Sequence, residues 1–310
     1  MTERTTGGLL LAFALASLAG ATPYAGDFEE LGTSARAIGM GGAVVASVDG
    51  PTAIYYNPAL AGRSRHASAY FLHSEDYSGI VQHNYLGVSF PAGLQSFGVA
   101  LLHNGIPDIK LTALPDPTRP PGEDNRPYVD RIVNANQLVG YVNYARALSP
   151  RVALGGNAKL IYHALGTGSC FGMGLDLGVG LSPGAGVDVG LRVRNLSTSP
   201  LFWDTGTREY VTPRAAAGVS KTFRFGRDAL ALALEAEAGL EESGFTQNLG
   251  VEYSFRNALF GRLGVHRGNL TFGLGGRYRR FFVDYGYATG YAPGARELGS
   301  AQQFSGGVEF

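Results

Sequence analysis

The side chains that could carry chemistry in this chain are six histidines, one cysteine, and 25 basic and 25 acidic residues whose charges cancel. The histidines are scattered, no Gly-x-Ser-x-Gly elbow occurs, and Cys170 alone supplies neither a zinc cluster nor an internal disulfide. Cys170 is read as a small side chain within a strand. The acidic, proline-rich stretch PDPTRPPGEDNRPYVDR inside residues 105–134 lacks the spacing of a calcium loop and is read as a solvated loop stiffened by proline. No catalytic residue, metal or cofactor is therefore assigned. A net charge of zero offers no basic surface for phosphates, which argues against nucleic acid as a partner. The chemistry left to the charged residues is mutual: ion pairing within a closed interior, or the lining of a pore.

That reading needs elements which point charges inward, and from about residue 67 the sequence supplies them. Segments of about ten residues alternate apolar with small or polar side chains, as where one face meets lipid and the other a lumen. In 172–181, Met173, Leu175, Leu177, Val179 and Leu181 share one face, while Gly172, Gly174, Asp176, Gly178 and Gly180 share the other. The segments at 187–194, 229–240 and 281–287 repeat the pattern. Phased this way, Lys159, Asp176, Asp188, Arg192, Arg194, Glu235, Glu237, Glu252, Arg262, His266, Arg277 and Asp284 face the interior. A charge facing lipid would cost about 2–4 kcal/mol at the bilayer midplane, which supports the inward direction.

The fold class expected is all-β: a transmembrane antiparallel barrel of about 14 strands over residues 65–310. The connections that leave odd-numbered strands include the three longest, about 105–134, 197–209 and 289–298. Those that leave even-numbered strands are tight turns such as Pro91-Ala92-Gly93 and Ser149-Pro150. Long loops on one rim and short turns on the other characterise outer-membrane barrels. Phe304, Val308 and the terminal Phe310 alternate with polar residues, resembling a membrane-insertion signal. Low charge content (16%), 46 glycines, 16 tyrosines and 17 phenylalanines fit the same class. The alternative that alternation leaves open is a secreted, soluble β-sandwich adhesin with a closed apolar core.

Ahead of the barrel, Arg4 precedes an apolar run from Leu9 to Leu18 that ends in Ala19-Gly20-Ala21, which reads as a signal peptide over residues 1–21, with residue 25 as the alternative end. Export to the bacterial outer membrane follows. Residues 22–64 do not alternate. Within them Ser34, Ala35, Arg36, Gly39, Met40, Gly41 and Gly42, followed by Tyr56, Asn57, Pro58 and Ala59, resemble the opening of the FadL and PorV/PorQ superfamily of outer-membrane proteins. The resemblance covers about forty residues. It implies a fourteen-stranded barrel whose N-terminal segment folds into the lumen as a plug, with Asn57-Pro58-Ala59 marking the passage to the first strand. Ser34 is placed to cap a short helix over Ala35–Ile38.

The same resemblance leaves two functions open: service in surface protein secretion, as in PorV/PorQ-like members, or uptake of hydrophobic small molecules, as in FadL-like members. Short outer loops and the opening around Ser34–Ala59 point toward the secretion side. The partners expected are outer-membrane lipids, with hydrophobic small molecules or secretion-system proteins, according to which reading holds.

Overall fold

A computed structural model describes residues 26–166, 168–239, 245–289 and 300–310. The signal peptide expected over residues 1–21, or to 25, lies outside these, as does most of the outer connection at 289–298. No described helix is long and apolar enough to cross a membrane. The crossing elements are strands.

They are β1 (Ser68–Asp76), β2 (Val81–Ala92), β3 (Gln95–Ala113), β4 (Tyr128–Ser149), β5 (Val152–Leu165), β6 (Gly168–Gly184), β7 (Val187–Arg194), β8 (Ser199–Trp203), β9 (Arg208–Val211) and β10 (Arg214–Phe225) in the first part of the chain. The rest are β11 (Asp228–Gly239), β12 (Thr246–Phe255), β13 (Leu259–His266), β14 (Asn269–Tyr278), β15 (Phe281–Thr289) and β16 (Ser300–Glu309). Each barrel strand pairs antiparallel with its neighbours, β7 with β10, and β1 closes on β16 from Ser68↔Glu309 to Ser74↔Gln303. Set apart from β8 and β9, this is a closed fourteen-stranded barrel. Closure leaves no sheet edge, which is what a strand-built membrane span requires. A two-sheet sandwich is thereby excluded.

Alternation fixes the faces. Met173, Leu175 and Leu177 are exposed on the outside of β6, while Asp176, Gly178 and Gly180 are buried inside it. The same holds around the wall, as at Leu274 with 66% exposure. A continuous apolar band on a closed barrel is lipid-facing.

Two outer features differ from the sequence reading. The loop expected over 105–134 is largely strand: β3 and β4 stay paired out to Ala113↔Tyr128, past a register shift between Ile106 and Ile109 where Asp108 takes φ 57°. Pro107 is tolerated because a bulge needs no ladder hydrogen bond at that position. Only the tip, 114–127, is irregular, and the Asn125 side chain knits it by donating to Asp116 O at 2.9 Å and Arg119 O at 3.0 Å. The connection expected at 197–209 carries the β8–β9 hairpin, which pairs with the outer end of β6 at Cys170–Gly172.

Residues 26–64 pack inside the barrel as short helical turns. A helix at Ala35–Gly39 lies on β13–β16, one at Gly50–Tyr56 lies on β1–β3, and a 3-10 turn at Pro58–Arg63 lies on β2–β6. The interior is two-sided. Ile54 and Leu60 of the segment are buried with Leu72, Leu102, Val139 and Ile161 on the β1–β5 side, whereas the side formed by β7 and β10–β15 holds most of the charges.

Candidate functional site

The N-terminal segment meets the wall through backbone as much as through side chains. Ser34 Oγ accepts from Ala37 N at 3.3 Å and caps the helix, which runs one residue beyond the expected Ile38. From it Arg36 reaches Glu252, with Nε to Oε2 at 2.9 Å and Nη2 to Oε1 at 3.0 Å. Ala35 and Gly39 lie against Gly286 and Gly273, and Met40 lies against Gly250. Gly41 and Gly42 take φ of 63° and 81°, a turn open to glycine at no steric cost. The hydroxyl of Tyr56 accepts from Thr33 N at 2.9 Å. Asn57 Nδ2 donates to Val45 O and to Val179 O on the wall, Pro58 O accepts from Asn143, and Ala59 N donates back to Asn57 Oδ1.

The twelve charged residues phased inward gather into clusters that include segment residues. Lys159 Nζ lies 3.0 Å from Glu29 and 3.0 Å from Asp176, and donates to Asn195 at 2.7 Å. Glu237 receives Arg192, Arg194 (3.4 Å) and Arg214 (2.9 Å), while Arg192 and Arg194 also donate to the backbone oxygens of Tyr56 and Glu29. Glu235 accepts both Val44 N and Val45 N at 2.8 Å. Arg262 bridges Glu252 and Asp284, each at 2.6 Å, so Arg36, Glu252, Arg262 and Asp284 form a chain of alternating sign. His266 Nδ1 lies 2.8 Å from Asn248 and 3.2 Å from Gly41 O. Nearer the short-turn rim, Asp188 pairs with Arg63 at 2.6 Å, and Arg277 with Glu309 at 3.3 Å. Arg277 and Glu309 are only half-buried, so this pair belongs to the rim more than to the interior.

Burial pushes the Glu29 carboxyl up, yet Lys159 and Arg194, with a hydrogen bond from Tyr141, more than reverse this and hold it at about 2. Its neighbour Glu30 pairs with Arg214 and Arg267 and is nonetheless raised, because desolvation outweighs the two guanidiniums.

Phe304 and Phe310 point outward, Phe304 packing on Tyr285 with ring centroids 4.8 Å apart, and Phe310 N donates to Ala67 O at 2.8 Å beside the barrel seam. The sequence reading missed Glu29, Glu30, Arg63 and Arg214. Arg214 shares the parity of Ala216 and Ser220 on the inner face of β10, a signal that could have found it. The other three lie in the non-alternating segment, where no parity exists.

Several cavities touch the segment among the described residues, and two of them bear on passage along the barrel. One of about 230 Å³ opens at the outer mouth, lined by the apolar Phe28, Leu31, Val81, Ile106, Ala135 and Leu165 and by the polar Asp27, Glu30, Asn104 and Gln137. The other, about 320 Å³, lies toward the short turns and is polar, with Arg36, Asp49, Ser68, Arg277 and Glu309 among its lining residues.

No family model and no curated protein matches the chain. Among solved structures, the Pseudomonas putida toluene transporter TodX superposes with TM-score 0.61 at 11% identity, over 91% of this chain and 99% of that one. The Ralstonia pickettii toluene transporter TbuX gives 0.58 at 12%, over 91% and 98%. The fold is that of the FadL-type transporters. A Pseudomonas aeruginosa FadL homologue matches at TM-score 0.54 and 10% identity, over 90% of this chain and 98% of that one. The shared FadL-type fold spans nearly the whole of each chain, so the N-terminal segment and the wall are compared as one unit.

Proposed function

We propose that this chain is a FadL-type channel that takes up small hydrophobic molecules across the outer membrane, with residues 26–64 as its luminal plug. The observation that carries the reading is the outer-mouth cavity, where Phe28 and Leu31 of the segment face Val81, Ile106, Ala135 and Leu165, with Asp27, Glu30, Asn104 and Gln137 as its polar margin. It continues the apolar β1–β5 side of the interior, so a solute without charge meets matched surface there. Leu31 lines this cavity and Ser34, three residues on, lines the polar one. A shift of that short stretch is what would join the two.

The likeness to toluene transporters supports uptake more than the secretion role toward which the short outer loops had pointed. In a host lacking its own uptake barrels, expression is expected to raise cellular toluene uptake, and Phe28→Asp is expected to abolish the gain. Uptake equal to that of the empty host would overturn the reading. Loss of surface proteins on deletion, with toluene uptake unchanged, would favour secretion instead.

A further inference from the structure

The zero net charge conceals a one-sided distribution. Lys221, Arg224 and Arg227 lie in β10 and its turn to β11, Arg256 lies in the turn from β12 to β13, and Arg279 and Arg280 lie in the turn from β14 to β15. These three turns follow one another along the short-turn rim, because β10 to β15 are consecutive neighbours in the barrel. The five arginines are exposed, and among the described residues none of the six cations has a carboxylate within ion-pair distance, while Lys221 Nζ donates to Ala185 O. Two acids border this arc: Asp228, which accepts from the Tyr253 hydroxyl at 2.8 Å and the backbone N of Arg256 at 2.9 Å and so lies within electrostatic reach of Arg256, and Glu309, which pairs with Arg277 at 3.3 Å.

Three of the cations rest on rings of the outer wall: Arg256 over Phe255 at 5.1 Å, Arg279 over Tyr278 at 5.3 Å, and Lys221 over Phe223 at 5.4 Å. Phe223, Phe255 and Tyr278 are exposed on the lipid-facing side. Aromatic side chains at strand ends mark the headgroup level of a barrel, so these cations are held where lipid phosphates lie. Arg256 and Arg279 occupy φ of 51° and 55°, a conformation that arginine seldom adopts.

We infer that this arc, centred on Lys221, Arg256 and Arg279, binds the phosphate headgroups of anionic phospholipids in the leaflet that the short turns face. The bilayer is the occupant because the rings beneath the cations already contact it, whereas an acidic soluble protein would meet the turns from the aqueous side. The inference rests on the barrel alone and not on what passes through it.

The test is lipid retention. Protein reconstituted into phosphatidylcholine vesicles containing a minority of phosphatidylglycerol is re-extracted, and co-purifying lipid is quantified by mass spectrometry. Retained lipid is expected to be enriched in phosphatidylglycerol about fivefold, the factor that one interfacial cation supplies. Lys221→Gln/Arg256→Gln/Arg279→Gln returns it to the vesicle composition with heat-modifiable migration unchanged, and each single substitution lowers it in part. Neutralising Arg119 and Arg126 at the outer loop tip leaves the enrichment intact. The inference is overturned by wild-type retention that matches the vesicle, by enrichment that survives every substitution, or by capture of acidic periplasmic protein with no lipid preference.

Discussion

Lys159 Nζ stands 3.0 Å from both carboxylate oxygens of Glu29, and the lysine side chain has no solvent exposure. A buried ion pair is weak evidence of net stability, but stranding one partner is costly. Asp176 sits 3.0 Å from the same ammonium, so the two deletions are unequal. Lys159→Met leaves two buried carboxylates without their cation and is expected to cost about 3–5 kcal/mol. Glu29→Gln leaves Lys159 with Asp176 and should cost about 1–3 kcal/mol. The temperature at which the folded band converts on heating in a gel reads both, and an equal or larger loss for Glu29→Gln would sink this account.

The same carboxyl sets an acid limit. With its folded value at about 2, below the ordinary glutamate value of 4.5, Glu29 stabilises the docked segment above the ordinary value and loses that contribution as pH falls through about 2. Glu30 acts oppositely: burial raises it, so its protonation is not destabilising as acid is added. Docking of residues 26–64 is therefore expected to hold from neutrality to about pH 4 and to loosen only near about pH 2. Protection of a spin label at position 28 from an aqueous quencher follows it, and release already at about pH 5 would contradict the pairing.

What the sequence made legible is parity. A period of two assigned the wall, the lipid face and the inward charges, because a side chain on a strand has two choices of face and burial energetics decide between them. The outer end of β3 was hidden by Pro107 and Asp108, which read as loop punctuation although the strand resumes beyond the bulge. The β8–β9 hairpin was hidden because strands of five and four residues are too short to show a period. The partners of Lys159 and Arg262 were illegible for another reason. Parity says which way a charge points, not which segment lies across the lumen from it, and Glu29 and Arg36 come from the stretch that has no period.

Close backbone contact gives a test of the packed interior. A Cβ added at Gly190 would stand 2.1 Å from Val45 O, and one at Gly264 would stand 2.2 Å from Gly41 N. Neither neighbour is a side-chain end that can swing aside. Gly190→Ala and Gly264→Ala are expected to destabilise by about 1–3 kcal/mol each, as overpacking does. Gly261 lies on the outer face of β13 with nothing within 4 Å, and Gly261→Ala should change stability by less than about 0.5 kcal/mol. Thermal conversion of all three variants in one detergent checks the contrast, which fails if the inner and outer glycines respond alike.

The chain Arg36, Glu252, Arg262, Asp284 separates holding the segment from holding the wall. Arg36 belongs to the segment, and its removal leaves Glu252 with Arg262 at 2.6 Å, so no acid is stranded. Arg36→Ala is therefore expected to fold, with a modest loss of about 1–2 kcal/mol, and to free one contact between segment and barrel. Arg262→Ala leaves Glu252 with Arg36 but strands Asp284, whose 2.6 Å ion pair is with Arg262, and should cost about 3–5 kcal/mol, enough to impair assembly. In planar bilayers, Arg36→Ala is expected to raise single-channel conductance above that of the wild type, because the polar cavity beside it gains a path past the segment. If conductance is unchanged while the variant folds normally, Arg36 does not help to seal the lumen, and its pairing with Glu252 serves only to position the helix at Ala35–Gly39.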